Sequence, residues 1–196
     1  MADQQRQPRR RGETVRRAVL DAAAAELTAA GVEHVTIAGV AARAGVHETS
    51  IYRRWVTKEA LLLETAQEQT AGAVPQPDTG SLRGDLVALV LSLDAFLRSP
   101  IGGALLRVAL TASTADGATA RETFWLDRLS NSGGIIDNAR SRGEIRPAVD
   151  PDLLMQAVVG SVHLGAIFGG RPLDRAGAAR LVDLLLTGAG EPATGL

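Results

Sequence analysis

The sequence predicts an all-α fold of about nine helices, arranged as an N-terminal three-helix head and a larger C-terminal helical bundle. Ala and Leu dominate the apolar positions, and β-branched residues never alternate with polar ones for long enough to form a strand. Ser, Thr, Asp, Gly and Pro stand where helix caps belong. With 196 residues and 45% hydrophobic content, the chain can bury a sizeable core.

The first third of the chain is predicted to form four short helices. Gly31 and Gly45 stand where helices end, because glycine adopts the left-handed conformation that closes them. Thr36 and Thr57 are placed to cap the helices that follow, each by accepting a hydrogen bond from the first turn. The predicted spans are about 14–30, 36–44, 47–54 and 57–71.

A segment rich in proline and glycine, GAVPQPDTGS at residues 72–81, indicates a linker or a loop between modules. Five more helices are predicted beyond it, with approximate spans of 81–98, 100–114, 119–142, 151–168 and 174–187. Their starts are marked by Ser81, by Ser99 before Pro100, by the capping box Thr119–Glu122, by Asp150 before Pro151, and by Asp174. Gly143 and Gly188 mark two of the ends.

The charge is unevenly distributed, although the whole chain carries a net charge of only −1. Residues 1–58 hold 10 Lys and Arg against 6 Asp and Glu, whereas the remainder holds 11 against 16. A basic head on an acidic body suggests a head that meets an anion, and a chance fluctuation is the alternative. The absence of Cys excludes disulfides, thiolate metal sites and a Cys nucleophile.

The sequence predicts a soluble, cytoplasmic protein. The N-terminal stretch MADQQRQPRRRGE is polar and Arg-rich, without the apolar region of a secretory signal. The most apolar stretch begins at Leu153 and is interrupted by Gln156, His163 and several glycines. It is therefore interpreted as a buried or interface helix and not as a membrane span.

The stretch AGVHETSIYRRW, residues 44–55, has the form of a sharp turn followed by a short helix. Gly45 permits the turn, and Val46 places an apolar side chain within it. Ile51 and Trp55 are four residues apart, so both are predicted to point inward from one helix face. The outer faces carry two pairs, Glu48 with Tyr52 and Thr49 with Arg53. Two short helices around a glycine turn form a helix-turn-helix, whose outer groups can reach base edges and phosphates. A solvated surface helix is the alternative.

The segment TIAGVAARAGVHETSIYRRWVTKEALL, residues 36–62, resembles the helix-turn-helix signature of TetR-type transcriptional regulators. The matching positions are Thr36, Ile37, Ala38, Ala41, Ala44, Gly45, Val46, Ile51, Tyr52, Lys58, Glu59 and Leu61. Trp55 is typical of one branch with an IYRRW recognition helix, and RGEIRPAVDPDLL and GGRPLD resemble C-terminal segments of that branch. The sequence departs from the signature at His47, which is often Ser, and at Glu48, which is often small or basic.

The resemblance and the chemistry together assign DNA contacts to Thr36, His47, Glu48, Thr49, Ser50, Tyr52, Arg53 and Lys58. Thr36 and Tyr52 would bind phosphate, and Lys58 would contribute to an anion site at a helix start. Thr49, Ser50 and Arg53 are candidates for base edges, and Glu48 either accepts from cytosine or tunes affinity. Tyr52 has a structural alternative, packing half-buried on the first helix.

Arg54 and the arginines of the N-terminal arm each have two alternative roles. Arg54 is either a phosphate clamp or a surface charge. The Arg-rich residues 1–11 are interpreted as a disordered basic arm that either enters the minor groove or forms a solvated tail. Its arginines are Arg6, Arg9, Arg10 and Arg11.

The resemblance implies a three-part organisation and a homodimer. The basic arm, residues 1–11, precedes the DNA-binding domain, residues 12–58. Helix 57–71 then connects to a ligand-binding and dimerisation domain, residues 73–196. The family dimerises through its last two long helices, here about 151–187, and encloses a pocket for a small-molecule effector. We therefore expect a repressor that binds a palindromic operator and is released by a small molecule; a helix-turn-helix regulator without a ligand is the alternative.

Candidate pocket residues are large or polar side chains on the helices that usually line that cavity: Phe96, Leu105, Phe124, Trp125, Leu129 and His163. Each has ordinary core packing as its alternative. No cofactor and no metal site is expected. An enzyme is not predicted either, because the chain has three His, no Cys and no HExxH, P-loop or GxSxG motif.

Overall fold

The computed structural model describes residues 6–111 and 133–188, and within these ranges it contains nine α-helices and no strand. The predicted all-α class is confirmed. The helices are α1 Arg6–Ala30, α2 Ile37–Ala44, α3 Glu48–Tyr52, α4 Lys58–Ala73, α5 Leu82–Arg98, α6 Pro100–Thr111, α7 Gly133–Ser141, α8 Pro151–Ile167 and α9 Arg175–Thr187. The capping box predicted at Thr119–Glu122 lies outside the described residues.

Four of the predicted caps are formed by the side chains expected to form them, whereas the hydroxyl of Ser99, predicted to cap α6, donates to the Phe96 carbonyl in α5 at 2.7 Å. Thr36, Ser81 and Asp174 each accept a hydrogen bond from a backbone N–H three residues on, at 3.0, 3.1 and 2.6 Å. Asp150 accepts from the N–H of Asp152 at 2.9 Å, with Pro151 as the first helical residue. Because these bonds are local, the sequence alone was sufficient to predict them.

The start of α1 differs from the prediction. The helix begins at Arg6 and not near residue 14, so it includes the arginine-rich residues 6–11 interpreted as a disordered arm. Pro8 is no obstacle, because the first four N–H groups of a helix have no intrahelical partner. The helix continues to Ala30 and ends at Gly31, whose φ is +78°.

The first of two compact units contains α1 to α4, apart from the last residues of α4, together with α6. α1 packs against α2 and α6, and α2 packs against α3. The large side chains of this unit that are less than 2% exposed are Val19, Leu20, Leu27, Val35, Val40, Ile51, Leu61 and Leu62. α6 thus belongs with the helices of the head, although residues 72–99 separate it from them along the chain.

The second unit contains residues 72–99 together with α7, α8 and α9. α5 is its central helix and packs against the other three. Its core includes Leu86, Val90, Leu93, Ile135, Met155, Val158, Val162 and Val182. Two buried carboxylates hold loops onto α5: Asp85 accepts from Thr79, and Asp94 accepts from the backbone N–H of Leu173 at 3.1 Å.

Candidate nucleic-acid interface

The turn between α2 and α3 has the geometry that the glycine predicted. Gly45 has φ +67° and ψ +34°, and its N–H donates to carbonyls in the last turn of α2. The N–H of Val46 donates to the Ala41 carbonyl at 3.0 Å, which closes the end of α2. A Cβ at Gly45 would have no atom within 4 Å, so the left-handed backbone and not lack of space requires glycine here.

α3 is only five residues long, and tertiary contacts hold it. Its N-cap residue, His47, makes no capping hydrogen bond with its side chain. Ile51 is completely buried and Trp55 is 4% exposed, so both point inward as predicted. Val46 is half-buried in the turn. An isolated helix of this length is unstable in water, so burial of these side chains fixes the position of α3.

The outward face of α3 and its flanks carries most of the predicted DNA contacts. The side chains of His47, Glu48, Thr49 and Arg53 are exposed, and Ser50 is half-buried. Tyr52 is 50% exposed, which leaves much of its surface open to a ligand while the rest packs on the head. The structure thus brings these six residues onto one short segment that is anchored from beneath.

Arg54 has a specific partner. Its guanidinium lies 5.5 Å from the centre of the Trp55 ring, within the range of a cation–π contact. Arg53 makes no ion pair with any described residue, so its fork of donors is available to DNA. The two neighbouring arginines therefore differ: Arg54 is held on a buried aromatic ring, and Arg53 extends freely.

Thr36 and Lys58 are brought close together at the starts of α2 and α4. The Thr36 hydroxyl caps α2 by accepting from the N–H of Gly39 at 3.0 Å. The Lys58 ammonium donates to the carbonyl of Val35, the residue before Thr36, at 3.3 Å. Lys58 thus fixes the loop before α2 with one donor and retains two for an anion.

Sequence reasoning missed two residues beneath this surface. The indole N–H of Trp55 donates to Oε2 of Glu64 in α4 at 2.6 Å, and Nε of Arg16 in α1 donates to Oε1 of Glu64 at 2.6 Å. The sequence signal for the pair is a Glu nine residues after a Trp whose indole N–H needs an acceptor when it is buried. That signal is too common to identify the pair.

The predicted pocket residues that the structure describes are core side chains. Phe96, Leu105 and His163 are 8%, 2% and 9% exposed. Nδ1 of His163 lies 2.8 Å from the Val159 carbonyl oxygen, so the ring donates to its own helix. Phe124, Trp125 and Leu129 lie outside the described residues.

A cleft of about 240 Å³ lies elsewhere in the second unit. Its lining is mostly apolar, with Arg83, Glu144 and Arg146 as charged members, and includes Ser81, Leu82, Ile145, Val149, Leu154, Leu185 and Leu186. None of the three predicted pocket residues that the structure describes lines it. Arg83 is already engaged by Asp183 in α9, at 2.6 and 2.8 Å, whereas Arg146 forms no ion pair with a described residue.

Two other kinds of site are absent from the residues that the structure describes. Within the described ranges, no group of three or more His, Cys, Asp or Glu is placed to hold a metal ion. In the same residues no single helix is long and apolar enough to cross a membrane. α5 and α6 reach the required length and apolar composition only when they are counted as one segment across the break at Ser99.

Comparison with known proteins gives two family matches. Residues 19–65 match the family described as "Bacterial regulatory proteins, tetR family". Residues 76–185 match "Tetracyclin repressor-like, C-terminal domain". Together these matches cover both the candidate interface and most of the second unit.

Individual relatives agree with those matches. The HTH-type transcriptional regulator AqdR of Rhodococcus erythropolis is 37% identical over 179 residues, 91% of this chain and 86% of that protein. The crystal structure of the TetR family transcription regulator SCO0332 superposes with a TM-score of 0.79 at 31% identity, covering 90% of this chain and 99% of that one. The regulator FadR of Bacillus subtilis, crystallised with stearoyl-CoA, superposes with a TM-score of 0.66 over 88% of this chain and 98% of its own. At 18% identity, FadR shows the fold alone.

Proposed function

The chain belongs to the TetR family of DNA-binding transcriptional regulators, and on that premise we propose that it is a repressor that binds a palindromic operator as a homodimer and is released by a small molecule. The observation that carries the DNA-binding part is the short helix α3, anchored by Ile51 and Trp55 and exposed on its opposite side. The family description "repressor-like" supports repression. We propose no catalytic activity, and we place the protein in the cytoplasm with its operator.

The proposed DNA contacts divide into two classes. Thr36, Tyr52 and Lys58 flank α3 and bind phosphates, which position the protein on the duplex. Arg53, Thr49 and Ser50 reach base edges, with the free guanidinium of Arg53 suited to guanine O6 and N7. His47 and Glu48 are the departures from the family signature, so they give the operator its individual sequence. Membership of the IYRRW branch remains part of this proposal.

Selection of bound DNA from a random pool tests the proposal directly. We expect a palindrome whose half-sites lie about one helical turn, or about 10 base pairs, apart or slightly more. The logarithm of the binding constant should fall with the logarithm of salt concentration by about 0.9 per phosphate contacted. A salt slope near zero, or selected sequences without symmetry, would contradict the proposal.

The proposed homodimer rests on the exposed apolar surface of α8 and α9. Leu153, Leu164 and Phe168 are 63%, 56% and 80% exposed, and Leu184 in α9 is 49% exposed. Leu153 and Leu164 of α8, with Phe168 directly after its end, recur at helical spacing and share one side. A Cβ at Gly160 would meet no atom within 4 Å, so another helix could approach closely there. Large exposed apolar side chains grouped on two helices are typical of a subunit interface.

Paired substitutions test the dimer. Leu164→Glu places a charge in both halves of a two-fold interface, so we expect a monomeric mass in sedimentation at micromolar concentration. Leu110→Glu is the matched control, because Leu110 in α6 is 55% exposed and lies outside α8 and α9. A monomeric wild-type protein, or equal effects of both variants, would contradict this interface.

We propose residues 12–58 as the DNA-binding domain, 57–71 as the connecting helix and 73–196 as the ligand-binding and dimerisation domain. The cleft of about 240 Å³ supports a small-molecule site in the last part. Its apolar lining beside Arg146 suits a small amphipathic anion, and FadR of Bacillus subtilis, a protein of this fold, was crystallised with stearoyl-CoA. Residues 1–11 remain a proposed DNA-contacting arm.

Release from DNA by a small molecule distinguishes a ligand-responsive repressor from a regulator without a ligand. We would add octanoate, an amphipathic carboxylate, to the protein–operator complex and repeat the titration with Leu154→Trp, which fills the cleft. Release of the wild type but not of the variant supports a ligand in the cleft. Equal release of both places the effector elsewhere, and the buried side chains of Phe96, Leu105 and His163 favour the ligand-free alternative if no release occurs.

A further inference from the structure

The carboxylate of Glu64 uses its two oxygens for two different partners. Oε2 accepts from the indole N–H of Trp55 at 2.6 Å, and Oε1 accepts from Nε of Arg16 at 2.6 Å. The Glu64 side chain is 25% exposed, and Trp55 is 4% exposed. One group in the middle of α4 therefore links the end of the recognition segment to α1.

Trp55 transmits this contact to the recognition helix. Its backbone N–H donates to the Ile51 carbonyl at 2.8 Å, so the indole and the last turn of α3 move as one piece. α3 has no side-chain N-cap, and its other large anchor, Ile51, is a buried apolar side chain, whose hydrophobic stabilisation is not directional. The hydrogen bond from Trp55 to Glu64 is directional, so it can specify where the helix lies.

We propose that Glu64 is a positioning residue for operator recognition, which fixes the Trp55 indole so that Tyr52 and Arg53 are presented in one place. Glu64 acts through Trp55 and not by touching DNA. Base-edge contacts are lost when a side chain is displaced by a fraction of an ångström, whereas attraction to phosphates tolerates displacement. Loss of Glu64 should therefore reduce sequence-specific binding and leave non-specific binding intact.

Arg16 supports Glu64 in this role. Its guanidinium also donates to Glu13 at 2.9 Å and to Glu68 at 3.3 Å. Burial lowers the pKa of Arg16, but hydrogen bonds to Glu64 and Glu13 outweigh burial and raise it. The cation is therefore permanent and holds Glu64 by the carboxylate oxygen that Trp55 does not use.

Glu68 provides a matched control. It lies one turn further along α4, carries the same charge and contacts Arg16, but its described bonds do not include Trp55. Removing either carboxylate makes the head more positive, so electrostatics alone predicts equal or tighter DNA binding for both variants. If DNA binding is weaker in Glu64→Ala alone, the change is opposite to the electrostatic effect. A displacement of the recognition helix must then cause it.

The experiment compares dissociation constants for DNA selected by the wild-type protein and for random-sequence DNA. We expect Glu64→Ala to lower the ratio of specific to random affinity at least 10-fold, and Glu68→Ala to leave it unchanged. Glu64→Gln keeps an acceptor for the indole and should recover part of the ratio. Trp55→Phe removes the donor, so it should reproduce Glu64→Ala, and the double variant should add little. The ratio does not depend on the fraction of protein that is folded, so partial unfolding cannot imitate the effect.

The indole N–H signals in a proton–nitrogen NMR spectrum provide a second readout. The chain has two Trp, and a Trp125→Phe variant assigns the signal of Trp55. Replacing a carboxylate acceptor by an amide in Glu64→Gln should move the Trp55 signal, whereas Glu68→Gln should not. An unmoved Trp55 signal in Glu64→Gln, or equal affinity ratios for Glu64→Ala and Glu68→Ala, would overturn the proposal.

Discussion

Removal of Asp85 is the substitution in the second unit for which we expect the largest loss of stability among its charged residues. The side chain is completely buried in the first turn of α5. It accepts from the backbone N–H of Thr79 at 2.5 Å, from the Thr79 hydroxyl at 2.7 Å and from Arg142 at 3.1 Å. Burial raises the pKa of this carboxyl, but the bonds from Thr79 and Arg142 prevail and hold it below 3.8.

The magnitude follows from these contacts. Hydrogen bonds to a charged group contribute about 1.5–3 kcal/mol each. Burying the carboxylate costs several kcal/mol, which offsets much of the sum. In the Asp85→Ala variant Arg142 is not left without a partner, because Glu144 still accepts from its Nε, at 2.7 Å in the wild type. We therefore expect a loss of about 3 kcal/mol in the free energy of unfolding, the lower end of the range for a broken buried pair.

Urea unfolding followed by circular dichroism measures this loss. With a slope of about 2 kcal/mol per molar urea, the midpoint should fall by about 1.5 M. Asp183→Ala is the control, because Asp183 also binds an arginine through two hydrogen bonds, at 2.6 and 2.8 Å. Both members of that pair, Asp183 and Arg83, are about half exposed, so we expect little change.

The dependence on pH gives a further test of the Asp85 interactions. A carboxyl whose pKa is lowered by folding stabilises the protein fully above its unfolded pKa, here 3.8, and loses that contribution as pH falls through the folded value. The difference between wild type and Asp85→Ala should be constant near neutral pH and should shrink below about pH 4. Equal losses for the Asp85 and Asp183 variants, or a difference that persists unchanged at pH 2, would refute the reasoning.

Three predictions concern the head. Ile51→Ala removes a completely buried side chain beneath α3 and should destabilise the protein by about 3 kcal/mol in thermal unfolding; a loss under 1 kcal/mol would mean that α3 is held in another way. Gly45→Ala must adopt φ near +67° and should cost about 1 kcal/mol by the same measurement, with weaker operator binding, whereas an unchanged melting curve would exclude strain at the turn. Arg53→Ala should weaken binding to selected DNA about 10-fold, as measured by fluorescence anisotropy. Its control, Arg146→Ala in the second unit, should bind DNA like the wild type.

Much of the fold could be predicted because its signals are local. The hydroxyl of Thr36 and the carboxylate of Asp174 cap helices by bonding to N–H groups three residues away. The spacing of Ile51 and Trp55 likewise identified the inner face of α3 before any contact was known. The sequence was a poorer guide at the start of α1, because the polar, arginine-rich residues before Thr14 carry no apolar periodicity to mark a helix, and yet the helix begins at Arg6.

The contacts between distant elements could not be predicted from the sequence. Glu64 and Arg16 are 48 residues apart, Asp85 and Arg142 are 57 apart, and no local pattern distinguishes these charges from solvated ones. The same limit applies to the cleft of the second unit, since its lining includes residues of α5, α8 and α9 that only packing brings together.

The sequence by itself thus determined the helical class, the glycine turn and which residues of α3 face outward, because backbone conformation, capping and helical periodicity act over three to five residues. Only the tertiary structure decided that Trp55 has an acceptor on α4, that Arg54 lies on its ring while Arg53 forms no ion pair with a described residue, and that α6 belongs with the head. These outcomes depend on which distant side chains meet when the helices pack. Packing selects among many chemically equivalent partners by distance and burial, and neither of these can be read from positions along the chain.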